Sequence, residues 1–288
     1  SYADAHVNRA ATLMEFNRNL EALEDVRASL HIAAGGNRQA ERLAEHCTML
    51  LSVDMIPAIY PDEAELAATR QRIEDVLDQL MEVLEAPANL GAQEAQVSRQ
   101  ALYSLTAFYL AYHQRNDRET MRKLSLVATR LLPASRHEVG ERPRRGARIR
   151  VGIASQFLRD HNGANWAYNW FAQLPRDDYE ITTYHFEPQK DQLARRFAEL
   201  GRHRRHAWTV GSQDEVIRQM REDELDILML PDVGMTSLSR YLSLHRIAPC
   251  QFTAWGHPVT TGSPEMDFYL SSDLMEPENA QDHYTERL

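Results

Sequence analysis

Residues 251–273 read QFTAWGHPVTTGSPEMDFYLSSD and contain two apolar runs around a loop. The runs QFTAW and MDFYLSS have the length and the β-prone composition of buried strands. The loop between them, GHPVTTGSP, combines glycines, prolines and hydroxyl side chains, a composition that an ordinary surface turn also shows. Trp255 and His257 add an aromatic platform and a titratable ring, which is more than a connector requires. The stretch therefore predicts a ligand-binding loop at the carboxyl end of a strand.

Upstream of this stretch, strand and helix patterns alternate from residue 149 onward. We predict strands at 149–155, 179–186, 206–210 and 226–230, and helices at 163–174, 191–200, 214–221 and 237–244. Strict alternation of this kind favours a parallel sheet with helices on both faces. Residues 149–288 are therefore predicted to form an α/β Rossmann-like domain of about six strands.

Residues 1–132 have helical periodicity instead. We predict a first helix that ends at 34–36, and further helices at 38–51, 64–84, 92–113 and 116–132. The first of them should bury one continuous face, because its large apolar residues recur at intervals of three or four: Leu13, Phe16, Leu20, Leu23, Val26 and Leu30. The aromatic stripe of the fourth is interpreted as core. No 34-residue period is evident, so the domain is an all-α bundle or a degenerate tetratricopeptide-like array.

Between these two regions, residues 133–148 (PASRHEVGERPRRGAR) are polar and rich in helix breakers, which predicts a domain linker. The basic runs Arg142–Arg150 and Arg202–Arg205 are interpreted as solvated, the first as part of the linker and the second as a helix end. The formal net charge of −10 argues against a nucleic-acid partner. Two cysteines, Cys47 and Cys250, suggest neither a disulfide framework nor a zinc site.

The chain has no run of 18 apolar residues, and its start lacks the order of a signal peptide. We therefore expect a cytoplasmic protein without membrane association. Motifs for dinucleotides, P-loop nucleotides, hydrolase nucleophiles and zinc are missing, as is the DxD pattern of metal-dependent sugar-nucleotide sites. No metal ligand is expected.

Three loops that each follow a predicted strand should meet at one edge of the sheet, because parallel strands point the same way. The first carries His161, the second Asp232 and Gly234, and the third is GHPVTTGSP. His161 is a candidate for acid/base or donor-orienting work, and equally a helix cap. For Asp232, spacing alone favours a helix N-cap over a functional role.

Four segments, in order, resemble the bacterial members of the O-GlcNAc-transferase/SPINDLY glycosyltransferase family: LSVDMIPAIYPDEAEL, LTAFYLAYHQRNDRE, RIRVGIASQFLRDH and the block from LPDVGMTS to Leu288. The resemblance runs from about Leu51 to the last residue. Residues 1–50 look like the family's helical or tetratricopeptide-type region. The fold implied is an all-α domain followed by the first Rossmann-like domain of a GT-B glycosyltransferase.

By this resemblance the protein is expected to be an inverting, metal-independent glycosyltransferase that moves a sugar such as GlcNAc or glucose from a nucleotide diphosphate to protein Ser, Thr or Asn side chains. His161 matches the family's active-site histidine. Asp232 and Gly234 match a loop beside the donor or acceptor, where the animal enzymes differ. The loop that lies against the donor matches a longer set: Trp255, Gly256, His257, Pro258, Thr260, Thr261 and Gly262. His257 stands where the animal enzymes have tyrosine.

The resemblance also implies partners. They are a nucleotide-sugar substrate such as UDP-GlcNAc or UDP-glucose, with no separate cofactor, a polypeptide acceptor, and a second Rossmann-like domain that carries a catalytic lysine. Lys123 and Lys190 do not match that lysine's position, so the chain is expected to be the acceptor half and inactive alone. The alternative is a non-catalytic protein-interaction module derived from the same fold.

Overall fold

The computed structural model describes residues 2–84, 90–132, 148–186, 191–209 and 211–288. The described residues form two compact units, one up to residue 132 and one from residue 148. The predicted linker, apart from Arg148, lies outside the described residues, as does Lys190. None of the described helices is both long enough and apolar enough to span a bilayer.

The first unit consists of helices. They are α1 (Tyr2–Glu15), α2 (Asn19–Ala34), α3 (Arg38–Ser52), α4 (Glu63–Val83), α5 (Ala92–Ser104), a 3₁₀ helix (Phe108–His113) and α6 (Arg118–Leu131). Side chains cap two of the predicted starts: Asn37 accepts hydrogen bonds from the amides of Gln39 and Ala40, and Asp62 accepts one from Glu65. Lys123 lies on α6, where it pairs with Glu74 and Asp78.

The prediction of one long helix near the start is wrong. The chain turns between α1 and α2, and Asn17 adopts a left-handed φ of 57°. Phe16 is 70% exposed and Leu20 77% exposed, whereas Leu13 and Leu30 are buried. The apolar periodicity continues through the turn, so the sequence pattern hides the break.

The predicted fourth helix is also interrupted. Its α-helical part ends at Ser104, where the buried Asp54 accepts hydrogen bonds from the amides of Thr106 (2.7 Å) and Ala107 (2.8 Å). A 3₁₀ helix follows, and its aromatic stripe is core only in part, because Tyr112 is 61% exposed. A carboxylate from a distant segment therefore replaces the helical partners of these amides.

The second unit is a six-stranded parallel sheet. Its strands are β1 (Ile149–Ser155), β2 (Tyr179–His185), β3 (Arg202–Arg205), β4 (Ile227–Met229), β5 (Cys250–Ala254) and β6 (Phe268–Leu270), in the order β3-β2-β1-β4-β5-β6. The helices between them are α7 (Asn162–Ala172), α8 (Gln192–Ala198), α9 (Gln213–Glu222) and α10 (Ser237–Ser243). The predicted fold class is confirmed.

The third strand differs from the prediction. It is formed by the basic run Arg202–Arg205, interpreted above as a helix end. Of the predicted strand, residues 206–209 are not in a strand, and Val210 lies outside the described residues. Arg202 and Arg204 both pair with the buried Asp223, at 3.1 and 2.5 Å. An edge strand needs little apolar surface, and its charges discourage pairing with another chain. Composition alone therefore concealed the strand.

The fold buries several histidines in neutral form, and His245 after α10 is the most affected. Burial, together with the nearby Arg221, lowers the pKa of His245 to about 3. In the unfolded chain the same ring takes up a proton near its ordinary pKa of about 6.5. The unfolded state therefore binds more protons than the folded state between these values, and acid destabilises the fold.

We expect the free energy of unfolding to fall by about 2 to 3 kcal/mol through this site between about pH 7 and 4.5. His245→Phe should show a shallower pH dependence, measured by urea denaturation at each pH. The control His283→Phe, at an exposed histidine, should keep the slope of the wild type. Equal slopes for all three proteins would contradict the assignment.

Candidate functional site

A cavity of about 430 Å³ lies at the carboxyl ends of β1, β4 and β5. Its walls come from the three loops that were predicted to meet there. The lining residues are Ser155, Phe157, Leu158, His161, Asn162, Gly163, Ala164, Trp166, Ala167, Pro231, Asp232, Met235, Trp255 and Gly256. Four predicted site residues are therefore brought together: His161, Asp232, Trp255 and Gly256.

His161 is the N-cap of α7. Its Nδ1 accepts a hydrogen bond from the Gly163 amide at 3.2 Å, and its ring stacks on Phe157 with centroids 4.3 Å apart. Burial and the Arg159 guanidinium lower the pKa of His161 below its ordinary value. The ring is therefore neutral near pH 7.

The cap also fixes the tautomer of His161. A backbone N–H can only donate, so Nδ1 must carry the lone pair and Nε2 must carry the hydrogen. Neutral His161 therefore presents a hydrogen-bond donor at Nε2. The sequence left two roles open for His161, a helix cap and an acid/base or donor-orienting group. The structure shows the helix cap, and this cap leaves the Nε2 hydrogen available to orient a ligand.

Asp232 is a buried carboxyl group in the cavity wall, only 4% exposed. Its Oδ2 accepts a hydrogen bond from the Ser155 hydroxyl at 2.5 Å. Oδ1 has no hydrogen-bond partner among the described residues. Burial raises the pKa of Asp232 to about 6. The side chain does not cap α10, since Thr236 does so by accepting from the Ser239 amide.

Gly256 allows the loop after β5 to approach the loop after β4. Its amide donates to the carbonyl of Pro231 at 3.2 Å, and a Cβ at this position would lie 2.2 Å from the same carbonyl oxygen. Gly234 has a φ of 100°, and a Cβ there would lie 2.6 Å from Nδ1 of the buried His257. His257 thus packs behind the loop after β4 and does not line the cavity.

The rest of the predicted donor loop is turned into the fold. Thr260 and Thr261 are buried and bind the buried carboxylate of Glu286: the Thr260 hydroxyl donates at 2.5 Å, the Thr261 amide at 2.8 Å, and the Thr261 hydroxyl donates as well. The buried Arg240 donates to the Thr261 carbonyl at 2.5 Å. Thr260, Thr261 and Gly262 do not line the cavity, and Pro258 is exposed.

Several residues of the site were not singled out from the sequence. Trp166 and Trp170 of α7 pack against Trp255, with ring centroids 4.9 to 5.1 Å apart. The signal that could have found them is the pair of tryptophans four residues apart, which share one helix face. Ser155 and Glu286 carried no local signal, because their partners lie far along the chain.

We expect Gly256→Ala to destabilise the protein by about 1 to 3 kcal/mol, because the methyl group would overlap a backbone oxygen. Urea denaturation measures the loss. The control Gly163→Ala, in α7, places its Cβ no closer than 3.5 Å to another atom, and should be neutral or slightly stabilising. A neutral Gly256→Ala would contradict the close approach.

Removing the carboxylate of Glu286 should leave buried donors on two threonines unsatisfied. We expect Glu286→Ala to cost about 2 to 4 kcal/mol and to speed amide hydrogen exchange in residues 259–263. The exposed Glu278 offers a control in the same segment, and Glu278→Ala should change neither quantity. Unaltered exchange in Glu286→Ala would mean that the loop is held by other contacts.

Comparisons with known proteins gave relatives in sequence and in fold, although no family model matches the chain. Over 155 residues, 52% of the chain, it is 29% identical to a protein of Solanum lycopersicum described as a probable UDP-N-acetylglucosamine–peptide N-acetylglucosaminyltransferase SPINDLY. A protein of the same description from Eustoma exaltatum subsp. russellianum is 28% identical over 116 residues, 39% of the chain. The alignments span 16% and 12% of those two proteins.

Among solved structures, the chain is similar over its full length to a mutant of the O-GlcNAc transferase of Thermobaculum terrenum. The TM-score is 0.51 at 20% identity, and the match covers 57% of that chain. This likeness shows the fold, that of a GT-B enzyme. Over the part of the chain that they cover, the two sequence relatives and this structure all make the chain similar to proteins of the O-GlcNAc-transferase/SPINDLY family.

Proposed function

We propose that this chain provides one wall of the active site of a protein glycosyltransferase, which moves a sugar such as GlcNAc or glucose from a nucleotide diphosphate to a Ser, Thr or Asn side chain. The observation that carries the proposal is the cavity at the carboxyl edge of the sheet, where His161, Asp232 and Gly256 meet. Ligands of open α/β sheets bind at this edge. The similarity to the two plant proteins described as probable N-acetylglucosaminyltransferases supports the same class of reaction.

The lining of the cavity suits a sugar ring. Phe157, Trp166 and Trp255 offer aromatic surfaces to its C–H faces, while Nε2–H of His161 can donate to a sugar hydroxyl or a phosphate oxygen. The cavity also adjoins the amino end of α7, whose dipole favours negative charge. Donor sugar and diphosphate therefore both find complementary groups along this edge.

We further propose an inverting displacement. The acceptor atom, which is the hydroxyl oxygen of Ser or Thr or the amide nitrogen of Asn, attacks the anomeric carbon from the face opposite the diphosphate. The bond from that carbon to the phosphate oxygen breaks, and its electron pair leaves with the diphosphate. Hydrogen-bond donors and the helix dipole stabilise the charge that develops on the diphosphate, with no metal required. In this scheme His161 orients the donor.

A second Rossmann-like domain is part of the proposal, since the structural relative extends beyond the matched region. We propose that such a domain supplies further nucleotide contacts and a catalytic lysine, and that the 288-residue chain by itself does not turn over. Calorimetry with UDP-GlcNAc and UDP-glucose, on the chain alone and on the full-length protein, tests this division. Tight donor binding and transfer by the chain alone would overturn it.

The role of His161 can be separated from its role as a helix cap. Asparagine is a good N-cap and can accept from the Gly163 amide, but it lacks the Nε2–H donor. We expect His161→Asn in the full-length protein to keep the thermal stability of the wild type and to lose about 100-fold in kcat/KM, as for loss of one donor to a transition state. His161→Ala should lower both the thermal stability and kcat/KM.

The readout is transfer of sugar to lysate proteins, followed by mass spectrometry with each donor. Full activity in His161→Asn would reject the assignment of His161. Absence of transfer by the wild-type protein with every donor would favour the alternative, a non-catalytic interaction module.

A further inference from the structure

For a Ser or Thr acceptor, the proposed displacement releases a proton from the acceptor hydroxyl. Two titratable side chains line the cavity: His161 and Asp232. One of them, His161, is poorly suited to take that proton. Its Nδ1 already accepts from the Gly163 amide, so its Nε2 carries a hydrogen and has no lone pair to offer. Protonation of Nδ1 would also set two hydrogens against each other at the helix cap.

Asp232 has the opposite character. Oδ2 is held by the Ser155 hydroxyl, and Ser155 Oγ in turn accepts from the Phe157 amide at 2.8 Å. Oδ1 lacks a hydrogen-bond donor within the described part of the chain, although the residue is 4% exposed. A buried carboxylate oxygen without a donor is costly, and a ligand hydroxyl placed against it would satisfy it.

The acid strength of Asp232 suits proton transfer near neutral pH. Burial raises the pKa of Asp232 to about 6, so the group is ionised at pH 7 yet basic enough to share a proton in a transition state. The Ser155 hydroxyl, the backbone of Asp232 and the Ser239 hydroxyl oppose this rise. Two titratable side chains lie on or beside the same loops: His161 lines the same cavity, and His257 lies 2.6 Å from where a Cβ at Gly234 would be.

We infer that Asp232 is the proton acceptor of this site and that Ser155 is its positioning residue. The inference rests on the proposed function and adds to it the group that activates the acceptor. The acceptor O–H bond breaks and its proton moves to Oδ1 of Asp232. The acceptor oxygen forms a bond to the anomeric carbon, and the electron pair of the breaking bond leaves with the diphosphate. Asp232 returns the proton to water after product release.

The test is the pH dependence of kcat/KM for sugar transfer by the full-length protein. In the wild type kcat/KM should fall tenfold per pH unit below about pH 6, because protonated Asp232 cannot accept. Asp232→Asn, of nearly the same shape, should lose about 100-fold or more and should lack this acidic limb. Circular dichroism and thermal unfolding of the variant show whether it is folded.

A second variant separates positioning from simple structural damage. The Ser155 hydrogen bond lowers the pKa of Asp232, so Ser155→Ala should move the acidic limb to higher pH and recover most of its activity in alkaline buffer. The matched control is Asp226→Asn, which changes a buried aspartate at the amino end of β4, where it accepts from the Arg150 amide. That variant should keep the limb of the wild type.

The outcomes distinguish this inference from the function on which it rests. Transfer with an acidic limb that disappears in Asp232→Asn and shifts in Ser155→Ala supports the inference. Transfer with an unchanged limb and rate in a folded Asp232→Asn overturns the inference and leaves the glycosyltransferase in place. Absence of transfer by the wild type with every donor overturns both.

Discussion

The contact between the Gly256 amide and the Pro231 carbonyl is the constraint on which the site depends. It joins the loops after β4 and β5 at backbone distance, in a space that leaves no room for a side chain at Gly256. Because the two strands are neighbours in a parallel sheet, their carboxyl ends already lie side by side. The glycine turns this proximity into direct contact, and Asp232 and Trp255 then flank one cavity.

Around this contact the fold divides its buried polar groups into two sets. One set is satisfied internally: Glu286 and Arg240 bind the threonine-rich part of the loop, so those hydroxyls and amides stabilise the loop itself. The other set is incompletely satisfied by the described residues, as the buried Oδ1 atom of Asp232 illustrates. Interior groups that keep an unused hydrogen-bonding capacity are typical of sites where a ligand completes the network.

His161 couples local stability to function within one side chain. Its Nδ1 accepts from the Gly163 amide in the first turn of α7, and this same bond fixes the tautomer that carries the hydrogen on Nε2. Stacking on Phe157 limits the ring's rotation. The helix cap therefore makes His161 a hydrogen-bond donor in the cavity wall. The carboxyl group of Asp232 is an acceptor in the same wall.

By itself, the sequence determined the fold class and most element bounds, because hydrophobic periodicity and turn residues are local signals. It also determined that three loops meet at one edge of the sheet, because parallel strands share a direction. Only the tertiary structure decided the elements whose partners are distant in the chain. Asp54 accepts from a backbone amide that follows α5, and Asp223 pairs with an arginine of β3. Glu286 accepts from the amide of Thr261 in the buried loop after β5. Each depends on a buried carboxylate from another segment, and no local pattern specifies which amide, hydroxyl or guanidinium will satisfy such a group.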